Sequence, residues 1–370
     1  MKRTIAAVTS SRADFSHLYW VLRELASHPA IDLRTVAMGP HLSPEFGHTA
    51  GEIEKAGFGI DARVECLLSS DTDIGMAKTI GVATLGLADC LGQMRPDLLL
   101  LIADRYEMLA PASVALALRI PIAHIEGGEI SEGAIDNAVR NALTKLSHVH
   151  FTSTEQARAR VIAMGEEEWR VHRAGAPSLD HLRRSAIPDS DGGPPAILVA
   201  YHPATIARDT IREADALFAA LEKIGGRLSF CYPNADAGSR ALIVRAKEFL
   251  DRRGNGEVLV NLDPLGYWGR LRSAELLLGN SSSGIMEAAS FAIPAVNVGI
   301  RQRGREHGRN VLNAEAAVES IVGCVATARD AGFRASLTGM DNPYGDGHAS
   351  ERIAAVLASV ALGEELLIKR

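Results

Sequence analysis

The segments PDLLLLIAD (residues 96–104) and IPIAHIEGGE (residues 120–129) decide the fold. Each is a short, fully apolar run, and the residues between them, Glu107 to Leu118, carry a helical pattern. Continuous Leu, Ile and Ala runs alternating with helices read as neighbouring strands of a parallel sheet covered on both faces, and such sheets take their ligands beyond the strand carboxyl ends. Asp104 closes the first run and Glu126 the second, and a third acid, Asp136, stands where the next helix should start. Ionised groups are rarely placed at strand ends without a partner or a task.

The same strand, turn and helix rhythm extends in both directions. Upstream lie strands at Thr4 to Val8 and Leu33 to Met38, a helix after Ser10-Ser11-Arg12, and a long helical stretch from Asp73 to Met94; downstream lie strands at Val149 to Thr152 and Val171 to Ala174. IPDSDGGPP (187–195) offers almost nothing to bury and reads as a linker. The pattern then restarts, with strands at Ile197 to Tyr201, Leu228 to Tyr232, Val258 to Leu262, Glu275 to Leu278 and Pro294 to Val298. The expected architecture is α/β, two Rossmann-like doubly wound parallel-sheet domains facing a central cleft, the GT-B fold. The expected bounds are residues 1–186, the 187–195 linker, residues 196–349, and a last helix at 350–370 crossing back onto the first domain.

Composition narrows the function classes. With 370 residues, 47% of them hydrophobic, the chain is long enough for two cores. A formal charge of −6 argues against a nucleic-acid partner, which would require a basic surface. The four cysteines show no CxxC spacing, fitting a reducing compartment with neither zinc site nor disulfides. Arg12 and Asp14 interrupt the N-terminal apolar run, and no contiguous apolar stretch reads as long enough to span a membrane, so the protein is expected to be cytoplasmic with no membrane partner.

The second half supplies a candidate phosphate site, GNSSSG (279–284), after one strand and ahead of an apolar helix whose free amides would face an anion. A serine-capped helix after a tight turn is the ordinary alternative. His202, Asn234 and the cationic run GIRQRGRE (299–306) follow three further strands on the same rim. Charge runs are usually solvated loops, but this placement suits a pyrophosphate clamp. Arg12 and His41 follow strands of the first half. No HExxH, Walker or first-strand GxGxxG pattern is present, which disfavours zinc, ATP and NAD chemistry.

Taken together, TSSRADFSHL (9–18), GPHL (39–42), ADRYEMLA (103–110), HIEGGEISEGAIDNAVRNALTKLSHVH (124–150), AGAPSLD (174–180), YHPAT (201–205), YPNADAGS (232–239), GNSSSG and GIRQRGRE resemble the hydrolysing UDP-N-acetylglucosamine 2-epimerases of sialic and nonulosonic acid pathways. The resemblance implies a UDP-sugar partner, no metal or other cofactor, and a homodimer or homotetramer. It implies that Asp104, Glu126 and Asp136 are the catalytic acids, with Arg105 orienting them and His41 at the sugar. Arg12, Ser16, His202, Asn234, Ser281, Ser282 and Arg301 would bind the diphosphate and nearby sugar atoms, and Tyr267 and Glu287 the uridine. The implied reaction eliminates UDP across C1 and C2 and then hydrates the glycal to a free mannosamine-type sugar. On this reading Asp104, kept ionised by Arg105, is the base and Glu126 the proton donor, with the reverse assignment left open.

The sequence also departs from the family pattern. Asn137 and Asn141 replace a common Asp and His, Ala103 stands where Gly is usual, and ISEGAID carries an extra residue. UDP-N-acetylglucosamine is the first expectation for the substrate. These departures leave open a 2,4-diacetamido-6-deoxy sugar, UDP-N,N'-diacetylbacillosamine. A non-hydrolysing epimerase, a GT-B glycosyltransferase and a nucleotide-sugar sensor are the remaining readings.

Overall fold

The computed structural model describes residues 2–68, 72–130, 135–188, 196–202, 210–231, 239–259, 262 and 264–369. Residues 189–195 of the expected linker, the inserted part of ISEGAID and Asn234 lie outside them. The chain divides into two compact units, Met1–Glu129 with Ile135–His181 and Gly347–Arg370, and Ile130–Ala134 with Leu182–Asp346.

In the first unit, strands β1 (Arg3–Thr9), β2 (Ile31–Met38), β3 (Ala62–Val64), β4 (Leu98–Ile102), β5 (Ile122–Ile125), β6 (Val149–Thr152) and β7 (Val171–Arg173) form one sheet in the order 3-2-1-4-5-6-7. All its pairings are parallel. The strands are apolar throughout because both faces are covered. Ile5, Ala7, Leu98, Leu100, Ile102, Ala123, Ile125 and Phe151 pack in one core with Leu18, Leu22 and Leu25 of the Arg12–Ser27 helix and Ile353 and Leu357 of the Ala349–Ser359 helix. Ala6, Val8, Leu99, Leu101 and Ile122 face the opposite way, against Leu87 and Leu91 of the Asp73–Met94 helix and Leu143 of the Ile135–Leu146 helix. Each fully buried Leu or Ile of these layers contributes about 2 kcal/mol of transfer free energy.

Helix Asp73–Met94 corrects one expectation, because by length and composition alone it could cross a membrane. Its Gly75, Thr79, Ala83, Leu87 and Leu91 are buried at four-residue spacing, while Ile74, Val82 and Leu85 are exposed. Lys78 and Asp89, at helical positions in an otherwise Gly- and Ala-rich run, hid its overall apolarity from a reading by contiguous stretches.

In the second unit β8 (Ile197–Ala200), β9 (Leu228–Cys231), β10 (Gly256–Leu259), β11 (Leu276–Gly279), β12 (Ala295–Val298) and β13 (Val311–Ala314) form a parallel sheet in the order 10-9-8-11-12-13. Strand order therefore reverses between β1 and β4 in one sheet and between β8 and β11 in the other. At such switch points adjacent loops leave in opposite directions and open a crevice above the strand ends. The sequence reading missed β3 and β13, a three-residue edge strand and a strand that follows a cationic loop.

Candidate active site

The turn after β1 is built by its own side chains. Ser11 caps the Arg12–Ser27 helix by accepting from the Asp14 amide (3.3 Å), and the buried Asp14 carboxylate accepts from the Ser10 hydroxyl (2.7 Å) and amide (3.2 Å). This reciprocal arrangement fixes the helix entry. Arg12 is exposed there and Ser16 half-buried. His41, expected at the sugar, is instead fully buried. Its Nε2 is 2.9 Å from the Thr9 hydroxyl and its Nδ1 2.7 Å from that of Thr49. Desolvation pushes the imidazole down to about 4, so it is neutral at pH 7 and braces the ends of β1 and β2.

Asp104 and Glu126 follow β4 and β5, which pair as far as Ile102 with Ile125. The sequence assigned Arg105 as the cation of this cluster. Arg105 turns away instead, donating to the buried Glu107 (2.9 Å), and the charge beside Asp104 comes from Arg140. Arg140 is nearly fully buried, and its other terminal nitrogen donates to the Glu129 carbonyl at 2.9 Å. A guanidinium fork used this way fixes both the acid and the loop after Glu126. Asp136 lies four residues before Arg140 on the Ile135–Leu146 helix, which places the two on the same face. Arg140 escaped the sequence reading because it sits inside an amphipathic helix; the signal was its spacing from Asp136.

Glu126 has a basic partner of its own, with His17 Nδ1 3.1 Å from its Oε1. The backbone is unusual at Glu126, with φ +65°, and at Ala103, the residue before Asp104, with φ +59°. The left-handed region costs a residue with a Cβ about 1–3 kcal/mol, so the surroundings must impose it. They do so through the Ala103 amide on the Ile125 carbonyl (3.0 Å), the Glu126 amide on the Phe151 carbonyl (2.8 Å) and the buried His124 Nε2 on the Ala103 carbonyl (2.8 Å). Gly128 follows at φ +79°, where a Cβ would lie 2.2 Å from the Ala157 carbonyl oxygen, so only glycine fits.

The second unit's strand-end loops are organised around Asn280, which is fully buried. Its side-chain oxygen accepts from the His202 amide (2.7 Å), and its Nδ2 donates to the His202 carbonyl (2.8 Å). Its own carbonyl accepts from Arg301 Nη1 (2.9 Å) and Gln302 Nε2 (3.0 Å). One asparagine thus ties the loops after β8, β11 and β12 together. Gly279 makes the approach possible, since a Cβ there would meet the Ala200 carbonyl oxygen at 2.1 Å.

The expected helix terminus at GNSSSG is different in kind. Ser282–Gly284 is a 3-10 turn, and the helix after it is only Glu287–Ser290, so Glu287 opens that helix instead of lying one turn inside it. The amides of Ser283, Gly284, Ile285 and Met286 are already bonded to Ser281 Oγ, Ser281 O and Ser282 O. The cluster of free amides that the sequence suggested is therefore absent. Ser281 and Ser282 remain half-buried on the rim. The hydroxyl of Tyr267 is buried beside Ser281, Ser283 and Glu287, and desolvation raises it well above the usual phenol range. Among the described residues no group of His, Cys, Asp and Glu could hold a metal ion.

Two sheets with reversed strand order, acids at one set of strand ends and a braced Gly-Ser loop at the other can be set beside known proteins. Residues 23–358 match the family model described as UDP-N-acetylglucosamine 2-epimerase. The chain belongs to that family. It is 34% identical, over 100% of this chain and 99% of the relative, to the UDP-N,N'-diacetylbacillosamine 2-epimerase (hydrolyzing) of Legionella pneumophila. It is 33% identical, over 85% of each, to the GDP/UDP-N,N'-diacetylbacillosamine 2-epimerase (hydrolyzing) of Campylobacter jejuni. Its fold matches the crystal structure of UDP-GlcNAc 2-epimerase from Neisseria meningitidis bound to UDP-GlcNAc, with TM-score 0.74 and 17% identity over 96% of this chain and 99% of that one. The epimerase-family chain is thus an enzyme of GT-B-like architecture.

Proposed function

We propose that this UDP-sugar 2-epimerase is hydrolysing and acts on UDP-N,N'-diacetylbacillosamine, releasing UDP and the free 2-epimeric sugar. The observation that carries the chemistry is the pair of acids on adjacent strand ends, each with a different basic partner. Asp104 beside a guanidinium is suited to remain a carboxylate and act as base, and Glu126 beside an imidazole can give up and regain a proton. The names of two relatives, one aligned over the full chain, support the diacetamido substrate over UDP-N-acetylglucosamine.

In the proposed reaction the C1–O bond breaks with its electron pair leaving on UDP, Asp104 takes the C2 proton, and a C1=C2 double bond forms. The C2–H is not activated by a carbonyl, so C1–O cleavage must lead and build oxocarbenium character, which nearby carboxylates stabilise. Water then adds at C1 as a hydroxyl, losing its other proton to solvent, while Glu126 delivers a proton to the opposite face of C2 and Asp104 returns the proton it took to solvent. The sugar's overall oxidation level is unchanged, so the scheme calls for no nicotinamide. UDP is assigned to His202, Ser281, Ser282, Arg301, Tyr267 and Glu287 of the second unit; His41 acts through the backbone it supports.

The test is to incubate the protein separately with UDP-N,N'-diacetylbacillosamine and UDP-N-acetylglucosamine in D₂O and identify the sugars formed. Free 2-epimer carrying deuterium at C2, with the diacetamido substrate preferred, is the expected result. Product without deuterium would sink the elimination, recovered UDP-linked epimer would make the enzyme non-hydrolysing, and preference for the mono-acetamido substrate would establish the second reading.

A further inference from the structure

A proton donor used once per turnover must be reloaded, and little of Glu126 is open to water: its side chain is 13% exposed, against 38% for His17. His17 lies on the second turn of the Arg12–Ser27 helix, whose core side is formed by Phe15, Leu18, Val21, Leu22 and Leu25. Off that apolar stripe, its Nδ1 reaches an acid 109 residues away in sequence. The capped turn fixes where the helix starts, and the Glu126 backbone is held left-handed by the hydrogen bond its amide donates to the Phe151 carbonyl, so both partners are anchored independently of the contact.

We propose that His17 is a positioning residue that holds Glu126 Oε1 by an Nδ1–H hydrogen bond and reloads Glu126 from solvent through that bond. This rests on the hydrolysing 2-epimerase reading. After Glu126 has given its proton to the glycal, Nε2 of His17 takes a proton from water while the Nδ1–H bond breaks and an Oε1–H bond forms; rotation of the carboxyl about Cγ–Cδ then turns that O–H towards the sugar and brings the bare oxygen to His17. A proton leaving Nε2 and another joining Nδ1 from water then restore the tautomer.

The experiment compares the full-length wild type with His17→Leu and His17→Asn, following sugar release and, by calorimetry, UDP binding. His17→Leu should lower kcat about 10- to 100-fold, the scale of one proton-transfer contribution, with KM and UDP affinity within about twofold. Millimolar imidazole should recover at least a fivefold part of that loss, an effect no packing role would show. His17→Asn, which keeps an N–H near the Nδ1 position but cannot relay, should fold and bind UDP like wild type and also respond to imidazole. Wild-type kcat in His17→Leu would overturn the proposal. So would a loss of kcat in both variants that imidazole leaves untouched or that parallels a loss of UDP affinity. A wild-type enzyme inert on every UDP-sugar would instead overturn the functional reading itself.

Discussion

The strand-end loops of the two units solve different problems with different chemistry. In the first, each of two acids meets its own base, Arg140 for Asp104 and His17 for Glu126, with backbone held at positive φ at Glu126 and at Ala103 beside Asp104. In the second, a neutral amide is the hub, with Asn280 tying its own loop to two others through the His202 backbone, Arg301 and Gln302. Charge pairs with strained backbone suit a place where protons move, because the partner sets each acid's protonation state. A neutral hub suits a place that must hold its shape, since its bonds do not depend on pH or salt.

Arg140→Met should break the contrast most severely. It removes the Arg140 guanidinium from Asp104 and releases the Glu129 carbonyl, and kcat should fall about a thousandfold, with about 3 kcal/mol lost from stability for a broken, largely buried pair. Sugar release and urea unfolding measure the two effects, and Arg140→Lys should fall between.

Acid should separate the units next. Burial holds His41, His124 and His148 down at about 4, and all three belong to the first unit. Between the ordinary value near 6.5 and about 4 the unfolded chain binds their protons and the folded one does not. Stability therefore falls as pH drops through that window, by up to about 1.4 kcal/mol per pH unit for each histidine. Urea unfolding between pH 7 and 4, followed at Trp20 and Trp169 of the first unit and Trp268 of the second, should show the first unit yielding earlier. Equal acid sensitivity in both would erase this part of the distinction.

Asn280→Ala removes the side-chain bonds to His202 without touching charge, and should weaken UDP binding about 10- to 30-fold by calorimetry. The kcat of the UDP-saturated variant should change far less than in Arg140→Met. The smallest effect is expected for Ala103→Gly, which removes the Cβ penalty at φ +59° and should raise stability in urea unfolding by about 1 kcal/mol with the fold unchanged.

Much of this was readable from the chain. Apolar runs such as LLLLI and IAHI can only be strands covered on both faces, and the acids that end them must sit on the ligand side of the sheet. What the sequence could not show was partnership. Arg105 is adjacent to Asp104 along the chain, yet it pairs with Glu107, and the cation beside Asp104 arrived from a helix 36 residues later. His17 was invisible for the same reason. Asn280 looked like one more polar loop residue, because its importance lies in bonds to loops distant in sequence. The free helix terminus at GNSSSG was a misreading of a real turn: consecutive serines satisfied the backbone locally as a 3-10 turn instead of leaving amides for a ligand.

The first unit is also assembled from both ends of the chain. The buried Asp180 carboxylate accepts from the Ala349 and Ser350 amides at the start of the Ala349–Ser359 helix, and the buried Arg170 donates to the carbonyls of Glu365, Leu366 and Ile368. A ribosome delivers those residues only after the whole second unit has been made. Until then the nascent first unit presents an uncovered apolar face along the Arg12–Ser27 helix, so in the order of synthesis the unit that begins first is completed last.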